Sequence, residues 1–248
     1  MSLKAPKAVK APAYRLRMAT SAEDVRAAQH LRFEVFNVEM HEGLKESWKT
    51  ELDADRFDES CDHLLVEQTS TGAVVGTYRL QTGAMAAGRH GYYSAQEFDF
   101  TPYEPFRSEI VELGRACVHI DHRKMNVLNM LWRGIAEYAK ERNARLLIGC
   151  SSITSQDPAL GLAMYQKLAA GNLAPEQFRT VPLPAFAMPP VEPLAECPEP
   201  PRLLQSYMNV GAKICGPPAL DREFGSIDFL TLIDFADIPE AAQNRFRF

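Results

Sequence analysis

The sequence contains no run of eighteen consecutive apolar residues, so no segment reads as a membrane-spanning helix. It shows no charged-then-apolar leader with a small-residue cleavage site, which sets the expectation of a cytoplasmic protein. Cysteine is sparse. The five residues (Cys61, Cys117, Cys150, Cys197 and Cys215) are odd in number, far apart and without a CxxC pair, which fits reduced thiols rather than a disulfide framework. The phosphate-binding patterns GxGxxG and GxxxxGK[ST] are missing, and so are HExxH and GxSxG. His119 and His122 form the one close histidine pair, but no third histidine or cysteine lies near them, so no metal is expected.

An excess of basic charge is also missing. The net charge is −5, split between +5 in residues 1–17 (Lys4, Lys7, Lys10, Arg15, Arg17) and −10 in the remainder. An acidic body speaks against nucleic acid as a partner. A short basic tail ahead of it suits peripheral contact with an anionic inner membrane. What is present is ordinary globular composition. With 248 residues, 46% apolar and 24% charged, the chain can bury a core without staples.

Residues 1–13 alternate Ala, Pro and Lys and read as a flexible tail. Tyr14–Met18 suits a first strand. Thr20-Ser-Ala-Glu23 is a capping box that opens a helix to about Val38. Residues 39–61 are polar and irregular. His63–Gln68 and Val74–Gln81 read as strands joined by the turn Thr69–Gly72. Gly83–Phe106 reads as a long loop, and Glu109–Ile120 as the next strand. Val127–Arg142 carries a helical apolar stripe, with Asn126 as its cap.

Leu146–Cys150 is a buried strand. Asp157-Pro158 starts a helix to about Ala170. Eight of the 17 prolines fall in residues 182–201, which excludes regular structure and marks an insertion, a candidate cover over the site. Leu203–Lys213 and Ile227–Ile233 read as sheet-forming, and residues 236–248 as a second tail. This order predicts an α/β (α+β) fold over residues 14–235: one domain, a mixed central sheet with helices on both faces.

Glu112 and Arg115 stand inside an otherwise apolar strand and need partners there, since an unpaired buried charge is costly. Strict alternation sends them to opposite faces, and a bulge at Gly114 would re-aim one of them. Asp53, Asp55 and Asp58 cluster just before His63.

Arg32-x-x-x-Phe36, Asp55-x-Phe-Asp58, Arg79 in Gly76-Thr-Tyr-Arg79 and Glu112-x-x-Arg115 together resemble, in order and spacing, the signature of the acyl-homoserine-lactone (autoinducer) synthases. Those are GNAT-fold acyltransferases. Leu131–Ile135, Ile148–Ser152, Gly211–Pro218 and Asp221–Phe229 are similar to a sister group, the ornithine-lipid and N-acyl-amino-acid synthases.

The resemblance implies a GNAT-like domain and transfer of a fatty acyl group to an amine. It implies the phosphopantetheine thioester of an acyl carrier protein as donor, with no tightly bound cofactor, and an amino acid as acceptor. Glu112 would be the general base and Arg115 its orienting or carboxylate-binding partner. Tyr165 would protonate the leaving thiolate. Arg32, Asp55, Asp58 and Arg79 would hold substrate or brace the fold, and the Cys117, Val118 and His119 segment would face the oxyanion. Phe36, Trp48, Phe57, Phe98, Phe100 and Phe106 are candidates for an acyl tunnel.

Cys117 and Cys150 read as buried small residues rather than nucleophiles. The stretch Arg123–Leu128 lacks the glycine turn that cradles a nucleotide pyrophosphate, which favours a carrier protein over coenzyme A. Arg123, Lys124, Arg133 and Lys140 would meet that acidic protein. Two other readings stay open: an autoinducer synthase using S-adenosylmethionine, and a non-catalytic acyl-binding module.

Overall fold

Residues 12–246 are described by the computed structural model, so the tail lysines Lys4, Lys7 and Lys10 lie outside the described residues. The first half contains β1 (Tyr14–Met18), α1 (Ala22–Phe33), α2 (Ser47–Thr50), β2 (Asp62–Gln68), β3 (Val74–Thr82), α3 (Gly83–Gly88) and β4 (Ile110–Val118). The second half contains α4 (Met125–Glu141), β5 (Leu146–Ile153), α5 (Pro158–Asn172), α6 (Arg202–Val210), β6 (Lys213–Ile214), β7 (Ala219–Asp221), β8 (Ser226–Asp234) and α7 (Glu240–Phe246).

The strands form one sheet in the order β1-β2-β3-β4-β5-β8-β6, with β7 also paired to β8. Every neighbouring pair is antiparallel except β4 and β5. That parallel ladder lasts only from Ile110↔Leu146 to Glu112↔Ile148, although both strands continue. Beyond Glu112 the two strands part.

A bulge in β4 accompanies the parting: its register against β3 shifts between Thr77 and Arg79, and Arg115 adopts φ +49°. This left-handed conformation is unusual for a residue with a side chain. It is the bulge expected beside Gly114, and it turns the arginine toward the gap.

Alternation along the strands supplies both cores. On β5, Leu147 joins the cluster under α4, whereas Leu146 and Ile148 join the cluster on the other face. Helix α4 lays Val127, Leu131, Ile135 and Tyr138 on the sheet, each buried apolar side chain contributing roughly 1.5–3 kcal/mol. Gly134 allows the close approach, since a Cβ there would sit 2.8 Å from the Leu64 methyl groups. Helix α1 covers the opposite face of β3 and β4, capped by Ser21, whose side chain accepts from the Asp24 N–H. Helix α5 begins at Pro158 behind the Asp157 cap, as its sequence suggested.

Several local expectations change. Residues 202–210 are helical, not sheet-forming: Leu204, Tyr207 and Val210 are buried at a spacing of three, and Gly211 at φ +101° ends the helix. Lys124, not Asn126, precedes α4, and its side chain makes no capping bond. Within the segment read as a long loop, Gly83–Gly88 is helical and Phe98, Phe100 and Tyr103 build the second core. The segment read as a second tail buries Ile238 and Ala242 in the main core.

The proline-dense strap has no regular element. It packs along α5, where Leu194 N donates to Ala159 O at 3.1 Å and Lys167 meets Glu199 at 2.6 Å. It does not cover the gap between β4 and β5.

Candidate active site

The parted strands open into a cavity of about 1100 Å³. One wall is apolar: Leu113, Ala116 and Val118 from β4, Leu128 and Leu131 from α4, Leu204 and Val210 from α6. The polar end carries Arg79, Tyr93, Glu112, Arg115, Cys150, Ser151, Ser152 and Asp228. A space with one greasy side and one charged end suits an amphiphilic substrate.

Three guanidinia and three carboxylates hold the polar end in place. Arg32 donates Nη1 and Nη2 to the Asp58 carboxylate at 2.9 and 2.7 Å, Nε to Asp53 Oδ1 at 2.7 Å, and Nη2 to the Asp53 carbonyl. Arg79 Nη1 donates to Asp55 at 2.6 Å and to Asp58 at 3.0 Å. Arg115 reaches Asp53 at 3.2 Å and Asp55 at 3.3 Å, and donates to the Tyr93 hydroxyl at 3.2 Å. Its guanidinium also lies 4.8 Å from the ring centres of Tyr93 and Phe224. Burial alone would raise the Asp58 carboxyl; Arg32 and Arg79 overcome it and hold the group well below the usual carboxylate range. Asp55 is lowered in the same way, by Arg79 and Arg115 against burial.

Glu112 is buried at the last β4–β5 rung. The Tyr93 and Ser94 N–H groups each donate to it at 2.8 Å. Burial pushes its carboxyl above the ordinary range, against those N–H groups and Arg79.

Ser94 also receives the Cys150 thiol on its hydroxyl at 3.4 Å, and Cys150 lies 4.0 Å from Glu97. Glu97, Cys150 and Asp228 gather their ligating atoms within 4.8 Å of one another. Burial pushes both the Glu97 and the Asp228 carboxyls up; the Asp228 charge raises Glu97 further, whereas hydrogen bonds with Ser152, Glu97 and Ser226 work against the rise at Asp228. Cys150 is raised by burial and by those acids, which describes an inert thiol.

The residues singled out from the sequence fall into groups. Arg79, Glu112, Arg115, Cys117, Val118, Arg123 and Lys124 line the cavity. Arg32, Asp55 and Asp58 stand behind it as the brace. His119 does not line it, and its N–H is held by Val75 O at 2.9 Å. Tyr165 is absent from the wall and packs against the main core. Arg133 and Lys140 are exposed on α4 away from the cavity.

Among the aromatics, Phe36 lines the cavity, whereas Phe98, Phe100 and Phe106 belong to the second core. Phe57 lies under Arg79, and Trp48 is exposed. Sequence reasoning missed Glu42, Glu97, Asp228 and Arg202. Asp228 was detectable, since it is an acid inside an apolar strand, the same signal that marked Glu112.

Residues 31–133 match the acetyltransferase (GNAT) domain family. The fold agrees with that match. FeeM, an N-acyl amino acid synthase from uncultured soil microbes, superposes with a TM-score of 0.55 at 12% identity, covering 92% of this chain and 93% of FeeM. The AHL synthase LasI gives 0.52 at 12% identity, covering 94% of each chain. The sheet with its parted β4 and β5 and the charged cavity between them are those of a GNAT-fold acyltransferase.

Within that class the sequence has nearer relatives. The L-ornithine N(alpha)-acyltransferase of Rhodobacter capsulatus is 33% identical over 89% of this chain and 90% of its own length. That of Brucella abortus is 32% identical over 88% and 83%. The chain belongs to the L-ornithine N(alpha)-acyltransferase family.

Proposed function

We propose that this acyltransferase moves a fatty acyl group from the phosphopantetheine thioester of an acyl carrier protein to the α-amine of ornithine. One observation carries the reading: a single cavity joins an apolar wall to an end holding both a buried acid and guanidinium groups. The acceptor's carboxylate is received at Arg79 and Arg115. Arg79 Nη2 is buried without a hydrogen-bond partner and suits a carboxylate oxygen.

Glu112, raised by burial, takes the proton from the α-ammonium group, directly or through a water. The freed amine attacks the thioester carbonyl. The C–N bond forms and the C–S bond breaks; of the two protons the nitrogen sheds in becoming an amide, one neutralises the leaving thiolate and the other passes to solvent by way of Glu112. The acyl chain lies along Leu113, Leu128, Leu131 and Leu204. The glycine-free approach to α4 supports a carrier protein over coenzyme A as donor.

Purified protein incubated with a long-chain acyl carrier protein and ornithine should yield N-acylornithine by mass spectrometry. Glu112→Gln should lower that rate by about 10²-fold or more. Wild-type turnover in a folded Glu112→Gln protein would remove Glu112 from the mechanism. A homoserine lactone from S-adenosylmethionine, with no product from ornithine, would replace the reading altogether.

A further inference from the structure

We propose that Asp228, backed by Glu97 and flanked by Glu42, is the subsite for the side-chain ammonium of a diamino acceptor; this deepens the ornithine reading and rests on it. Asp228 lies in β8 opposite Ser152, on the wall of the large cavity. Its residue exposure is 4% and that of Glu42 is 6%. Asp228 Oδ1 and Glu42 Oε2 are both buried without a hydrogen-bond partner among the described residues. Two carboxylates in one cavity wall, each with an orphaned oxygen, leave a demand that an ammonium group meets with its three donors.

The placement fits the chemistry at the other end of the acceptor. Ser94 gives its N–H to Glu112 and receives the Cys150 thiol, and Cys150 touches Glu97. Two bridging residues, Ser94 and Cys150, therefore separate the acid that would work on the α-amine from the acids that would hold the distal one. The strap closes the back: Glu97 faces a second, smaller cavity beside Ala185 and Phe186, and Leu183 N donates to Glu97 O at 2.7 Å.

A metal ion is the rival occupant, since Glu97, Cys150 and Asp228 could offer three ligands. The Cys150 thiol is spent on Ser94, and no histidine joins the group. Both features favour an ammonium over zinc.

The test compares ornithine with norvaline, which keeps the α-amino acid and chain length but lacks the distal amine. Wild-type kcat/KM should favour ornithine by about 10²-fold or more. In Asp228→Asn that ratio should collapse toward one, with most of the loss in KM for ornithine. Glu97→Gln provides the same readout if Asp228→Asn does not fold. Calorimetric titration of the wild-type protein should also show ornithine binding and norvaline not. A variant that keeps the ornithine preference overturns the subsite while leaving the ornithine reading intact. A wild type that acylates norvaline but not ornithine overturns the reading itself. Stoichiometric metal in the purified protein overturns the ammonium assignment.

Discussion

Arg32, Arg79 and Arg115 show what a charged residue needs once the fold has taken it out of water: each finds carboxylates within 3.3 Å. Glu42 meets the opposite circumstance, with no ion-pair partner among the described residues. Burial pushes its carboxyl up to about 7, against a hydrogen bond from Thr154, and the nearby Asp228 charge adds to the rise. A folded-state pKa above the unfolded one contributes stability that is full below the unfolded value of 4.5 and lost as pH climbs through about 7. At ~1.4 kcal/mol per pH unit across that window the loss has a ceiling of ~3 kcal/mol, which partial solvation brings to ~1–2 kcal/mol. Glu42→Gln should therefore melt near the wild-type temperature at pH 4.5 and a few degrees above it at pH 8. Scanning calorimetry of the substrate-free protein at both pH values checks this. A lower melting temperature for the variant at pH 8 would mean that Glu42 is paired with a cation in the folded state.

Two strands that stop pairing after three rungs make the cavity, and Gly149 stands just past the last of them. A Cβ at that position would run into the Leu113 carbonyl oxygen. Gly149→Ala should force β4 and β5 apart, lowering stability by about 1–3 kcal/mol as overpacking does. It should also raise KM for the acyl donor more than it changes kcat. Thermal melting with steady-state kinetics reads both, and an unshifted melt with unshifted KM would show that the strands yield freely there.

Much of this strand geometry was legible in advance. Glu112 and Arg115 betrayed a strand with special duties, and Gly114 betrayed the bulge between them. Helix α6 was misread because Leu203, Leu204, Tyr207 and Val210 suit either period over so short a run. Asp228 alone could be picked out, but the acidic cluster around it was not legible, for a different reason. Glu42, Glu97 and Asp228 come from three separate parts of the chain and meet only because β8 lies beside β5, a pairing no local pattern announces. The aromatics failed likewise, since composition cannot separate a second core from a tunnel wall.

At the scale of the molecule, the charge split read from the sequence becomes a question of where the few cations of an acidic body stand. Arg123 is committed: it clamps Glu39 at 2.6 and 2.7 Å and donates to Val118 O at 3.0 Å. Lys124 and Arg202 line the same cavity and have no ion-pair partner among the described residues. Around them Met40, Met125 and Leu203 are exposed on the lining. A rim of cations without ion-pair partners and exposed apolar side chains suits an acidic carrier protein that must present its pantetheine arm and then leave. Among the described residues, no helix is long and apolar enough to cross a membrane. Lys124→Glu should raise KM for an acyl carrier protein about tenfold at low ionic strength, and the gap should close as salt screens it. The same acyl group on free pantetheine should show no such change. An equal loss with both donors would place Lys124 on the pantetheine arm instead of the carrier's surface, and no loss with either would remove this rim from docking.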